Sequence, residues 1–555
     1  MTIETIDGVR GDVYTRRWVV ETILTLTGFT SDRDLADLTI VEPSAGDGAF
    51  LGPIVERLLE SVRLHGRPVS DLSGSLVAYE LYEDAATQAR QILRTLLTEG
   101  GVEDGQAREL AQQWVRTADY LLDEQEVVAD FVVGNPPYIR LEDIDNEVGA
   151  AYRTRWWTMT ARADIYVGFI EKALKSLRTG GRLGFIVADR WMKNQYGAKL
   201  RELVSTGGYA MEQVWTMHDV DAFVAPVSAY PAITVIRKGE QDAAVVIDTT
   251  SDFGEASAAE TTSWAIGAEA GERFETRGAQ GAVLDTWFTE ASSWPNGTPE
   301  SLKLIAHLNQ YQGLRPIHDP SHGTTVTIGI ATGADKIFIT KNSDLVEEDR
   351  LVPLAKSRDI STGTLNWGGT YLVDPWAERG RLVDLSKYPR LRSYFESHHA
   401  DLAKRHTAKR DLSRYYKTID PMHHDRIKRA KLLFTDMRTQ LTPVLEPGGV
   451  YPHHNLYYVI SDVWDLEVLG GLMMTQMAQE YLAAHTVKMR GGTLRAQAQY
   501  LKRIPVPSPR EIPNAAATAL RQAFRDGDRV EATRVARPLY GLSAKEWDWV
   551  GQISG

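Results

Sequence analysis

Through residues 1–240, short apolar runs alternate with stretches whose apolar positions recur at helical spacing. Leu38-Thr39-Ile40-Val41 predicts a strand ending in Glu42-Pro43-Ser44-Ala45-Gly46-Asp47-Gly48, and Phe50 to Arg63 predicts the helix after it. Ser75 to Tyr79 predicts a second strand, closed by Glu80, with a helix from Asp84 to Leu97. Phe131-Val132-Val133 predicts another, ending at Gly134-Asn135. Asp164 to Leu177 carries an amphipathic helical pattern with Gly180-Gly181 as its stop, and Arg182 to Ala188 returns to a strand. Nearly continuous apolar strands alternating with helices predict an α/β fold, its parallel sheet covered on both faces. Ligands of such sheets bind beyond the carboxyl ends of the strands.

The pattern changes over residues 240–300, which are rich in Ala, Gly, Ser, Thr and acids and weakly periodic. Beyond them, Thr325 to Ile330 and Lys336 to Thr340 predict strands either side of a Thr332-Gly333-Ala334-Asp335 turn, and Ala515 to Ala536 predicts a helical tail. The text contains no internal repeat and no low-complexity tract.

Composition narrows the chemistry. The 555 residues carry a formal charge of −12, are 43% hydrophobic and contain no cysteine. Disulfides, cysteine-ligated zinc and thiolate nucleophiles are excluded, and with them the usual route to C5-methylation of cytosine. No apolar run reaches the roughly 18 residues of a membrane span, and Met1 to Arg17 lacks the apolar core of a secretory signal, so a cytoplasmic protein is expected. The acidic total argues against uniform nucleic-acid binding, but Lys404 to Lys431 holds ten Lys/Arg against three acids, with Tyr415, Tyr416, His423 and His424 interleaved. Such a stretch can neutralise phosphates or be a solvated face. A second cluster joins Lys488, Arg490, Arg495, Lys502 and Arg503 to Gln497 and Gln499. Arg and Gln can read guanine and adenine edges.

Three loops follow strands and carry candidate chemistry. In the first, Gly46 and Gly48 let the backbone approach a ligand, although a tight turn alone would use them equally well. The loop is neither the dinucleotide fingerprint nor a phosphate loop. Glu80 ends the second strand, where a carboxylate can accept both hydroxyls of a ribose. Asp119 lies where a third strand should end and could accept from an adenine amino group. In order, these acids describe a pocket for an adenosine. The third loop is Asn135-Pro136-Pro137-Tyr138. Its prolines fix the chain and remove donors, while the Asn135 amide and the Pro136 carbonyl supply two acceptors. That pair suits an exocyclic amine of a nucleobase, and Tyr138 offers a π-face for stacking.

This order and the Asn-Pro-Pro-Tyr motif resemble the class I S-adenosylmethionine-dependent methyltransferases. The closer resemblance is to the gamma arrangement, TaqI-like, of DNA adenine-N6 methyltransferases from restriction-modification systems. It covers motifs from Tyr14 to Ile236 and less distinct text to about Pro507. It implies a Rossmann-like class I methyltransferase domain with a mostly parallel sheet at 1–245 and a connecting segment at 246–300. A mixed α/β target-recognition domain would follow at 301–510, and a helical segment at 511–555. The implied cofactor is S-adenosyl-L-methionine. Glu42, Ser44, Gly46 and Asp47 would surround its methionine part, Glu80 its ribose and Asp119 its adenine amine. Thr15 matches an upstream cofactor motif, although Arg16 stands where the family usually has proline. Asn135 and Pro136 would hold the target N6, with Tyr138 on one face of the base. Phe223, in Asp221 to Val227, matches the aromatic on the other face, with Tyr230 as the competing assignment. Tyr196-Gly197 through Leu200-Arg201 resembles the segment after the sixth motif.

Double-stranded DNA is the implied partner, through Lys404, Arg405, Lys409, Arg410, Arg414, Arg490, Arg495 and Lys502. Ile328 to Gly333 and the run closing at Pro507 also resemble parts of the recognition domain. A separate cognate restriction endonuclease fits the same resemblance, and neither a metal nor a membrane is called for. A fused nuclease is not expected, since no Glu-x-Lys signature occurs and only about 40 residues precede the first motif. Three other readings use the same residues. An N4-cytosine enzyme shares the acceptor logic, though Ser more often stands at position 135. A methyltransferase of a protein glutamine amide shares the motif but gains nothing from a basic C-terminal half. A non-catalytic DNA-binding subunit would not need Asn135, Tyr138, Glu80 and Asp119 intact.

Overall fold

The computed structural model describes residues 15–160, 162–224, 230–289, 293–486, 494–543 and 547. The chain divides into two compact units, Met1–Lys303 and Leu304–Gly555.

The first unit is built on one ten-stranded sheet. Its strands are β1 (Ile40–Glu42), β2 (Leu76–Glu80), β3 (Val115–Thr117), β4 (Ala129–Gly134) and β5 (Leu177–Ala188), then β6 (Tyr209–Thr216), β7 (Pro231–Lys238), β8 (Ala244–Thr249), β9 (Arg273–Thr276) and β10 (Ala279–Leu284). They lie in the order β3-β2-β1-β4-β5-β7-β6-β8-β10-β9. Strands β3 to β5 in that row are parallel, β7 runs against both β5 and β6, β6 and β8 are parallel, and β10 and β9 close the row antiparallel. The strand order reverses between β1 and β4, which opens a crevice at their carboxyl ends.

Helices cover both faces, and the strands alternate accordingly. Phe131, Val133, Ile186, Val245 and Ile247 join a core with α1 (Arg17–Thr27), α2 (Leu51–His65), α3 (Glu83–Glu99) and α4 (Asp104–Trp114). Val132, Phe185, Val187 and Val246 join a second core with α5 (Asn146–Arg155) and α6 (Tyr166–Ser176). One-residue alternation along a strand is what delivers side chains to opposite faces.

Three expectations are corrected. Helix α6 ends at Ser176, and Gly180 and Gly181 lie inside β5. There the register against β4 shifts between Ala129 and Phe131, and a Cβ on Gly181 would stand 3.0 Å from the Asp130 carbonyl. The glycines therefore serve the strand irregularity and not the helix stop. Residues 246–300 do not merely connect, because they carry the end of β8, all of β9 and β10, and a helix Glu255–Gly267 packed into the first core. Their small residues masked a strand-rich segment. Asp335 to Phe338 is a helical turn, with only Ile339–Thr340 extended. The Thr332 hydroxyl bonds the Asp335 carboxylate and accepts from the Ala334 N–H, which starts the turn.

The second unit holds a four-stranded antiparallel sheet of Thr324–Ile328, Leu456–Ser461, Lys431–Thr435 and Val444–Glu446. A smaller mixed sheet joins Ile339–Thr340, Tyr371–Val373, Leu351–Ala355 and Tyr451–Pro452. The tail forms two helices, Asn514–Asp526 and Arg529–Ala536, broken at Gly527. Phe524 and Leu520 pack over Gly470 and Gly471 of helix Leu466–Met473, so the tail is part of this unit. Among the described residues, no helix is long and apolar enough to cross a membrane.

Candidate functional site

The carboxyl ends of β1, β2, β3 and β4 converge on a cleft that opens to solvent. Thr15, Ser44, Gly46, Asp47, Glu80, Asp119 and Asn135 line it, so seven positions singled out across 120 residues meet at one place.

The β1 loop is pinned to the β2 end. Ala45 N–H donates to the Tyr79 carbonyl at 2.8 Å, and Gly46 N–H to Glu80 Oε2 at 3.0 Å. Gly46 has φ +50°, and a Cβ added there would meet only the Ser44 carbonyl, at 3.9 Å, leaving its cleft side clear. Glu80 also accepts from Tyr82 N–H through Oε1 at 3.1 Å. Its carboxylate is thus oriented by two amides at the mouth of the cleft. Asp119 accepts from Leu121 N–H at 2.8 Å and from the Tyr152 hydroxyl at 2.6 Å. Burial, then the Asp119 charge, pushes the Tyr152 phenol up, so it remains a donor.

Glu42 is not a lining residue. It is fully buried behind the loop, Oε1 accepting from Ser44 N–H at 3.0 Å, and among the described residues Oε2 has no hydrogen-bond partner. A Cβ on Gly134 would stand 2.6 Å from Oε1, so only glycine at the end of β4 admits this carboxyl. Burial raises the Glu42 carboxyl well above its ordinary 4.5. A raised folded value stabilises the fold fully below the unfolded value, and that contribution disappears as pH climbs through the folded value. Glu42→Gln should therefore match the parent near pH 4.5 and gain on it steadily toward pH 8. Thermal unfolding of the cofactor-free chain measures this; parallel curves would contradict it.

At the rim, Asn135 Nδ2 donates to Thr15 Oγ1 at 3.1 Å, which turns the amide carbonyl away from Thr15. Pro136 is buried and Pro137 lines the cleft. The Tyr138 hydroxyl donates to the Ile186 carbonyl of β5 at 3.1 Å, fixing its ring beside Tyr166 and Phe223. Phe223 pairs with Thr15 in an isolated antiparallel bridge, and its ring lies 6.5 Å from that of Tyr138 at 76°. Tyr230 instead meets His218, with ring centroids 4.9 Å apart. This favours Phe223 over Tyr230 as the ring facing Tyr138. Ala225 to Val227, part of the same motif, lies outside the described residues.

Several lining residues carried no sequence signal: Tyr82, Ile139, Tyr152, Ile165 and Phe169. Tyr82 stands two residues beyond a strand-end carboxylate, which was the one available hint. The others come from segments that folding alone brings to the cleft.

The donor set fits S-adenosyl-L-methionine. Acceptor carboxylates at or just past the ends of β2 and β3 suit hydroxyl and amine donors such as those of its nucleoside, a Cβ-free approach lies at Gly46, and Asn135 lines the same cleft.

In the second unit the basic stretch resolves into two kinds of residue. Lys409, Arg410 and Arg414 are exposed and form no ion pair among the described residues. Lys404 is exposed beside Asp401 at 3.8 Å. Arg405 is corrected: its guanidinium donates to the carbonyls of Thr332, Tyr415 and Lys417 at 3.1, 2.7 and 2.7 Å, and it clamps the loop from within. Lys431 is buried on Glu446. Arg495 is spent on Asp436 at 2.6 Å, Lys502 is half-buried, and Lys488 and Arg490 lie outside the described residues. Asp335, His453 and His454 place ligand-type atoms within 4.8 Å of one another, but Asp335 Oδ2 and His453 Nε2 already hydrogen-bond at 3.0 Å.

Residues 70–223 match the Eco57I restriction-modification methylase family. The chain is 40% identical over 551 residues to the Type II methyltransferase M.PaeR7I of Pseudomonas aeruginosa, covering 98% of this chain and 93% of that protein. It is 38% identical over 550 residues to the Type II methyltransferase M.XhoI of Xanthomonas vasicola, covering 98% and 99%. The Type IIL restriction-modification enzyme MmeI, solved in complex with DNA, shares the fold with a TM-score of 0.57 at 12% identity, over 97% of this chain and 75% of that one.

Proposed function

Because the chain belongs to the Type II methyltransferases of restriction-modification systems, DNA-methylating enzymes that use S-adenosyl-L-methionine, we propose that it methylates N6 of an adenine everted from double-stranded DNA. One observation carries the choice of an amine: Asn135, its amide nitrogen tied to Thr15, lines the cofactor cleft at the head of the loop whose Tyr138 faces Phe223.

When bound, the cofactor supplies a sulfonium methyl, a strong electrophile with a neutral leaving group. The protein's task is mainly to position. Asn135 Oδ1 and the Pro136 carbonyl would each accept one N–H of the target amine, leaving the nitrogen lone pair for the methyl. Holding the reactants in line can be worth about 7–11 kcal/mol. Tyr138 is not a base, since burial raises its phenol and its hydroxyl already donates to Ile186. No base is required, because the methylated nitrogen can release its extra proton to water. Eversion costs a few kcal/mol, and stacking on Tyr138 and Phe223 would offset roughly 1–3 kcal/mol.

Transfer of labelled methyl to DNA, followed by nucleoside analysis, should yield N6-methyladenine. N4-methylcytosine would replace this reading with the second one, which uses the same two acceptors. A separate cognate endonuclease is the expected partner, since the relatives matched end to end are named as methyltransferases alone. Lys409, Arg410 and Arg414 supply phosphate contacts. Reversing all three to Glu should weaken DNA binding and reduce the slope of log K against log salt by about 3. An unchanged slope in binding titrations would return these residues to the solvated surface.

A further inference from the structure

Asp189 follows β5 directly and is 3% exposed. Its Oδ2 accepts from His218 Nε2 at 2.9 Å and Asn296 Nδ2 at 2.7 Å, and lies 3.5 Å from Lys193 Nζ. Its own N–H donates to the Tyr230 carbonyl at 2.9 Å. His218 and Tyr230 are the two stems of the segment that leaves β6 at Thr216 and enters β7 at Pro231. One residue therefore clamps both ends of the loop that carries Phe223. Burial alone would raise the Asp189 carboxyl, but Lys193 and His218 hold it at about 2, so it is an anion wherever the protein works.

The two walls of the base site are referred to the same strand end. Tyr138 reaches Ile186, three residues before Asp189, while Phe223 reaches it through the loop. The Arg16 N–H adds a bond to the Ala222 carbonyl at 3.0 Å. A base sandwiched between two rings needs about 7–8 Å between them, two carbon–carbon contact distances. Tyr138 and Phe223 stand 6.5 Å apart at 76°, in edge contact. The separation of the two rings, and so the room for a base, depends on where the stems hold Phe223.

We infer that Asp189 is a positioning residue for the base site: its carboxylate on His218 and its N–H on the Tyr230 carbonyl hold the stems on either side of Phe223, and so the place of that ring opposite Tyr138. This rests on Phe223 being a wall of that site. A merely structural carboxylate would act on the fold as a whole, so the test must separate the two.

Asp189→Asn keeps the shape and one acceptor but removes the charge. In the full-length chain it should leave cofactor affinity within about 2-fold and lower kcat on the order of 10–100-fold, as a misplaced reacting group does. With 2-aminopurine at the methylated position, the fluorescence rise on binding should shrink. In a Phe223→Ala background the same change should cost less than about 3-fold, because its target is gone. Costs that multiply in the double variant, or an unchanged kcat in the single one, would overturn the inference. If Asp189→Asn does not fold, His218→Asn, which removes the partner of the Asp189 carboxylate on the first stem, should show the same dependence on Phe223, and its absence would count equally against it. A fully active Phe223→Ala would remove the wall and this inference with it, while adenine methylation, read from Asn135, would stand.

Discussion

Asn135→Ala is expected to lower methyl transfer on the order of 10²–10³-fold while cofactor affinity stays within about 3-fold, the size of effect seen when one preorganised hydrogen-bond partner of a transition state is lost. The split follows from where the side chain sits. Its nitrogen donates to Thr15 at 3.1 Å, which sets the direction in which the carbonyl oxygen points. The substitution leaves the amides and acids that hold the cofactor in place, with Gly46 and Tyr82 still on Glu80 and Leu121 and Tyr152 still on Asp119. Residual transfer is expected because the Pro136 carbonyl remains as the second acceptor. Thr15→Val should cost about 10-fold, because it frees the amide without removing it. Single-turnover transfer alongside equilibrium cofactor titration measures both, and undiminished turnover in Asn135→Ala would refute the role.

Glu80→Ala should weaken cofactor binding on the order of 10²–10³-fold, with kcat at saturating cofactor within a few-fold and DNA affinity unchanged. Two effects add. The carboxylate loses its place as a ribose acceptor, and hydrogen bonds to a charged group are worth about 1.5–3 kcal/mol each. The Gly46 and Tyr82 amides also lose the acceptor that shapes the β1 and β2 ends. Glu80→Gln keeps one amide acceptor and should be the milder variant. A cofactor titration that shows no change in Glu80→Ala would place the ribose elsewhere.

The parallel half of the sheet was legible because its strands are buried on both faces and end in residues that differ sharply from them. Leu76 to Glu80 and Phe131 to Gly134 are apolar until the carboxylate or the glycine, so the strand ends could be read to within about two residues. Most of the cleft was legible for the same reason, its chemical residues other than Thr15 lying at or just past a strand end. The legibility stopped where partners are distant in sequence. Nothing in the text places Tyr152 on Asp119, 33 residues away, or Asn296 on Asp189, 107 residues away. Charge runs misled for a related reason: Arg405 and Lys409 look alike in sequence, but one is consumed by backbone carbonyls and the other faces solvent. Glu42 was assigned to the cofactor's methionine part, yet it sits behind the loop that meets the ligand. Its strand-end position was visible, but the side of the loop it occupies depends on the missing side chain of Gly134.

Methylation-aware sequencing of plasmid DNA from cells expressing either the intact chain or Asn135→Ala tests the central claim most directly. The account predicts N6-methyladenine at nearly every copy of one recurrent sequence with the intact chain, and at a much smaller fraction of the same sites with the variant. Methylcytosine in place of methyladenine, or equal adenine methylation by the variant, would contradict it.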